Sequence, residues 1–170
     1  TYSGNLGFNW YGFDCSAFFQ GVGRQNRYPG GNAMLFWGGF ARPYASFTPI
    51  DWVDNIWTEE NPDAYFPRMR GYAAQGDRSL AKVNDRYLQN LAYCRLKNLT
   101  ISYDLPNSWS QKIGLSKAQV FFSGENLLTF TKLPSMFAPE AIFTGNDYTS
   151  EAGKNYPMNK VLSIGVIVNL

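Results

Sequence analysis

Residues 95–106 read RLKNLTISYDLP, and after a short polar connection residues 117–132 read KAQVFFSGENLLTFTK. Both alternate apolar with polar or small residues, the period-two pattern of a strand with two unlike faces. A third stretch, KVLSIGVIVNL at 160–170, places Leu162, Ile164, Val166, Val168 and Leu170 on one side. Ser163, Gly165 and Asn169 take the other. Alternation carried to the last residue suits a β-barrel wall, where a final strand closes the cylinder and leaves no edge.

Working outward, residues 5–10 (NLGFNW) set Leu6, Phe8 and Trp10 against Asn5, Gly7 and Asn9. Tyr11-Gly12 is a hairpin turn, and 13–20 (FDCSAFFQ) put Phe13, Cys15, Ala17 and Phe19 on one face. The expected strands are about 4–11, 13–22, 87–103, 117–130 and 159–170, with long connections over about 23–86 and 131–158. With the C-terminus periplasmic, both long connections fall on the extracellular side and both short ones on the periplasmic side. Outer-membrane barrels follow that rule. A short helical turn is expected within Asp51–Trp57.

One conflict stands out. Unbroken alternation would put Arg95 and Lys97 on the face of Leu99, Ile101 and Tyr103. A cation facing lipid at mid-bilayer costs about 2–4 kcal/mol. A bulge or parity switch near Lys97–Asn98 would resolve this, as would placing the cations above the apolar band.

Composition narrows the classes further. Lys and Arg total 15 against 13 Asp and Glu, so no basic footprint points to nucleic acid. Mean hydropathy is −0.30, and no apolar run of about 18 residues offers a membrane-spanning helix. Alternating strands that average to neutral hydropathy fit both that value and a spanning barrel. Aromatic residues make up 17%, suiting either aromatic girdles or a sugar-stacking surface. Histidine is absent, which removes the commonest general base and metal ligand. Cys15 and Cys94 lie at different heights of their strands and are expected to be free thiols.

Several ordered motifs resemble the C-terminus of SusC/RagA-type TonB-dependent outer-membrane transporters. They are WYGFDCSAFFQGVG at 10–23, NIWTEENPDAYFPRM at 55–69, the two strands quoted first, APE at 138–140 and Tyr156-Pro157. Two positions depart from that family: Ala138 stands where it usually has Asp, and Leu170 where it often ends on an aromatic residue. The resemblance implies an all-β fold, the last five antiparallel strands of a 22-stranded barrel with a plugged lumen. Five strands cannot close such a barrel, so the chain is expected to pair at both edges with the rest of the barrel. The resemblance also implies outer-membrane lipid around the wall and a SusD-like surface lipoprotein capping it. TonB would act through an N-terminal part that also holds the plug. The substrates implied are glycans or oligopeptides.

Within the loops, Trp37, Trp52, Trp57, Tyr65, Phe66 and Arg68 are the candidates for touching ligand or lid, set against plain packing within the loop. Arg70 joins Arg68 as a possible partner for acidic groups. Arg95, Lys97 and Glu125 could form a lumenal ion-pair network. Asp51, Asp54, Glu59, Glu60 and Asp63 cluster in sequence without EF-hand spacing. No cofactor, metal site or catalytic constellation is expected, and the chain is read as no enzyme. The competing reading is a secreted β-sandwich carbohydrate-binding module; the apolar faces of 120–130 and 162–168 count against it.

Overall fold

A computed structural model describes residues 1–31, 33–135, 137–140 and 158–169. Most of the 131–158 connection and Leu170 therefore lie outside the described residues. The strands are β1 (Tyr2–Trp10), β2 (Phe13–Val22), β3 (Asn26–Arg27), β4 (Gln89–Asn90), β5 (Tyr93–Asp104), β6 (Lys117–Thr131) and β7 (Val161–Asn169). The chain divides into two units.

The first unit is an antiparallel sheet in the order β1-β2-β5-β6-β7. Its β1–β2 turn is tight because Tyr11 and Gly12 both take positive φ, 45° and 85°, the twist a two-residue hairpin needs. The third wall strand begins at Tyr93 rather than near 87. Asn84 accepts a hydrogen bond from the Tyr87 amide and caps a turn of 3₁₀ helix over Asp85–Tyr87. Gln89 and Asn90 then pair with Arg27 and Asn26. Local capping and a separate ribbon thus take up residues that alternation alone assigns to the wall.

The conflict at Arg95 and Lys97 is resolved by a bulge. Phe18 pairs with Asn98 and Phe19 with Leu96, leaving Lys97 as one extra residue against β2. Against β6, Lys97 faces two residues, Asn126 and Leu127, and Asn126 takes φ 54°. The bulge inverts parity, so Leu96 and Cys94 join Leu99, Ile101 and Tyr103 on one face. Arg95 turns to the opposite face beside Gln20 and Thr129, where its Nε donates to Thr129 Oγ1 at 2.9 Å.

Register then builds apolar rows across the whole sheet. Trp10, Phe13, Tyr103, Val120 and Val166 form one row. Phe8, Cys15, Ile101, Phe122 and Ile164 form the next, and Leu6, Ala17, Leu99, Gly124 and Leu162 a third. Much of this face is bare: Leu6 is 67% and Ile164 80% exposed. A contiguous apolar face of this extent is foreign to soluble monomers. Both cysteines lie on it as free thiols.

The opposite face carries Asn9, Asp14, Ser16, Thr100, Ser102, Ser123 and Ser163. Gln119 donates to Asp104 at 2.8 Å, and Lys117 pairs with the same carboxylate at 2.9 Å. Glu125 sits opposite Asn98. Among these polar rows Phe121 lies directly across from Gly165, whose missing side chain leaves room for the ring. A Cβ there would clash with the Phe121 ring.

Gly165→Val should destabilise the sheet by about 1–3 kcal/mol through overpacking. Phe121→Ala in the same chain should recover much of the loss. Denaturant titration of the whole protein checks both, and equal destabilisation by Gly165→Val with or without Phe121 would contradict the contact.

Candidate functional site in the loop unit

The second unit comprises residues 26–91 and, from the later connection, described residues 133–135 and 137–140. Residues 23–86, read as one long loop, are largely a folded body with a core of aromatic rings. Two helical turns, Met34–Trp37 and Ile50–Val53, bring Phe36, Trp37 and Trp52 together. The second starts one residue before the turn expected at Asp51–Trp57 and ends at Val53, four residues short of Trp57. The β3–β4 ribbon holds the ends of the 26–91 segment side by side.

The motif NIWTEENPDAYFPRM folds back on itself. Its Trp57 amide donates to Phe66 O at 2.9 Å, the Phe66 amide to Asn55 O at 2.7 Å, and Ile56 bridges Phe66. Asn61 ties the tip by donating from its amide to Thr58 Oγ1 and from Nδ2 to Asp54 O. Glu59, Glu60 and Asp63 sit exposed there. Among the described residues, no three carboxylate, cysteine or histidine side chains converge as a metal site would require.

The six candidate residues divide sharply. Trp37 and Phe66 are each 1% exposed, centres of the core rather than surfaces offered to a ligand. Phe66 stacks with Tyr87 at 5.8 Å and Phe40 at 5.7 Å; Trp37 meets Phe36 edge-on at 4.8 Å. Trp37 Nε1 donates to Gly30 O at 3.0 Å, satisfying the indole inside the core. Trp52 is half-buried and donates to Phe36 O at 2.8 Å. Tyr65 packs between Phe66 and Tyr87 while its hydroxyl donates to Arg86 O at 2.8 Å. Arg86 closes the circuit by donating to Tyr65 O and Ala64 O.

Trp57 and Arg68 form a separate pair at the surface. The Arg68 guanidinium lies 4.6 Å over the Trp57 ring, a cation–π stack, and reaches Glu59 at 3.9 Å. Sequence reasoning missed Phe36, Phe40, Tyr87 and Phe137 as the core partners of the singled-out rings. The run Met34-Leu35-Phe36-Trp37 was the available signal, too short for periodicity to be read from it.

Burial raises the Tyr65 and Tyr87 hydroxyls above their ordinary value of 10.0, with Gln89 and Arg86 pulling partly back on Tyr65 and Arg86 on Tyr87. Tyr28 is raised in the same way, opposed by its hydrogen bond with Asn84. These phenols are thus held neutral, as structural groups.

A sheet with one bare apolar face and one polar face, joined through a separately folded loop unit, defines the class: a segment of a large β-barrel wall. Comparison with known proteins narrows it. The chain is 34% identical over 119 residues to TonB-dependent receptor P3 of Formosa agariphila, covering 66% of this chain and 11% of that protein. It is 26% identical over 127 residues to TonB-dependent receptor P26 of the same organism, covering 72% and 12%. Among solved structures it matches the RagAB peptide transporter with a TM-score of 0.64 and 27% identity, over 96% of this chain and 16% of that one. No protein-family model matches. The chain thus spans about a tenth of the length of the curated relatives it matches. It belongs with the SusC/RagA-type TonB-dependent transporters, as the ordered motifs indicated.

Phe66→Ala should destabilise the loop unit by about 3–5 kcal/mol, the usual range for an emptied aromatic core site. Hydrogen exchange should show the loss across residues 33–91 first. For pH the sign is fixed by the raised phenols. As pH climbs past 10, the unfolded chain ionises before the folded one, so the phenols' contribution is complete below about pH 10 and declines above it. Tyrosine absorbance followed together with exchange protection should place that decline above pH 10; protection lost first on acidification through neutrality would contradict it.

Proposed function

We propose that the chain is part of the wall and extracellular loops of an active importer in the bacterial outer membrane. The observation that carries this reading is the sheet's apolar face, continuous over five strands and kept so by the Lys97 bulge. Lipid is the solvent that such a face suits, and a closed barrel is the only sheet that lipid tolerates. In this reading β1 and β7 pair with the remainder of a 22-stranded barrel, and the polar face lines the lumen. Residues 23–86 and 131–158 lie outside the cell, and the C-terminus lies in the periplasm. A SusD-like lipoprotein covers the loops, while TonB acts on a plug carried elsewhere in the whole protein.

The cargo is a glycan or an oligopeptide. The similarity to the RagAB peptide transporter over nearly the whole chain favours the peptide. So does the state of the loop aromatics. Trp37, Trp52, Tyr65 and Phe66 are engaged with one another, and Trp57 is covered by Arg68, which leaves these rings little face for stacking on sugars.

Two substitutions side by side in β7 test the wall. Ile164→Arg should cost about 2–4 kcal/mol at the lipid face and deplete the heat-modifiable folded form from outer-membrane fractions. Ser163→Arg, on the lumenal face, should leave assembly near normal. Equal tolerance of both, or a whole protein that is soluble and folded without detergent, would sink the proposal.

A further inference from the structure

Beside the Trp57–Arg68 pair the loop unit carries an open groove of about 540 Å³, lined by Pro67, Arg68, Arg70, Ala73, Ser79 and Leu80. That volume falls within the range of roughly 300–1,000 Å³ usual for small-ligand sites. Its apolar lining is Pro67, Ala73 and Leu80, with the latter two buried. The backbone beneath is fixed, because the Leu80 amide donates to Ala73 O at 3.0 Å and the Ala73 amide to Arg70 O at 3.3 Å. Arg70 and Ser79 therefore project from a braced turn.

The polar groups at this groove are largely unspent. Among the described residues, the Arg70 guanidinium and the Ser79 hydroxyl make no hydrogen bond or ion pair. Arg68 is oriented by stacking on Trp57, and its link to Glu59 is long and solvent-exposed, hence weak. Two guanidinium forks and a hydroxyl over an apolar floor match a carboxylate attached to an apolar body. No aromatic ring lines the groove, so nothing there would stack on a sugar.

We infer that this groove is a subsite for the carboxylate of an acidic oligopeptide, held by Arg68, Arg70 and Ser79. The inference rests on the importer reading and gives its cargo a chemical class. Arg70 and Ser79 supply the donors, Arg68 adds charge from a fixed position, and Pro67 and Leu80 contact the peptide's apolar groups.

The test uses the whole transporter purified with its partner lipoprotein. Calorimetric titration compares three probes: an acidic tetrapeptide of alanine and aspartate, its amidated asparagine counterpart, and tri-galacturonate. The acidic peptide should bind about tenfold tighter than the amide, the scale of a charge-assisted hydrogen bond. The exposed double variant Arg70→Gln/Ser79→Ala should erase that difference, bringing the acidic peptide down to the affinity of the amide. Equal binding of the two peptides by the unmodified protein, or a preference that survives the double variant, would overturn the subsite. Arg70-dependent binding of tri-galacturonate without binding of the acidic peptide would overturn the assignment to peptides. Uptake by cells is read separately. Arg70-dependent binding without import would refute the importer reading and leave the groove standing. Import of both peptides without that preference would do the reverse.

Discussion

One extra residue in β5 keeps the sheet two-faced. Without the bulge at Lys97, Arg95 would fall in the apolar rows and Leu96 and Cys94 in the polar ones, since side-chain period is two and a single slip swaps every later residue. With it, five strands present continuous apolar rows while Arg95, only 5% exposed, reaches Thr129 on the other side. Asn126 supports the same irregularity from β6: its left-handed backbone absorbs the residue that Lys97 cannot match, and its side chain donates to Asn159 O. Phe121 over Gly165 marks the opposite face as specifically packed too.

The loop unit obeys a different rule. Its rings are buried in edge-to-face and stacked contacts, and each polar tip is led to a backbone carbonyl: Trp37 to Gly30, Trp52 to Phe36, Tyr65 to Arg86. Aromatic packing supplies area, and the satisfied donors make the arrangement specific. Chemistry is displaced to the periphery, where Arg68 and Arg70 flank a small apolar depression. A rigid aromatic centre thus leaves polar donors at its edge rather than inside it.

Much of the wall was legible because alternation is a local signal. The hairpin at Tyr11-Gly12, the faces of β6 and β7 and the conflict at Arg95 and Lys97, for which a bulge was one of the solutions, all follow from residues within one or two strands. The start of β5 was not legible, since the pairing of Gln89 and Asn90 with Arg27 and Asn26 is contact at long range. Nor was the fate of the loop aromatics. Trp37 and Phe66 look alike with Trp57 in sequence, yet two are core and one is at the surface. The difference lies in partners such as Phe36, Tyr87 and Phe137, brought in from three separate stretches. Arg68, a candidate for touching ligand or lid, lies at the surface, and Ser79 became its neighbour only through the turn that joins Ala73 to Leu80.

The β3–β4 ribbon bears on how the chain can fold at all. Strands β2 and β5 are adjacent in the sheet though residues 23–92 separate them in sequence. Closing so long a connection from a disordered state carries an entropic cost that grows with its length. A unit that condenses on its own aromatic core and fastens Asn26–Arg27 to Gln89–Asn90 shortens the effective connection to a few residues at each end. With the loop unit folded, the pairing of β2 with β5 carries the closure cost of a far shorter connection, so a loop that interrupts the wall in sequence lightens the entropic cost of joining its strands.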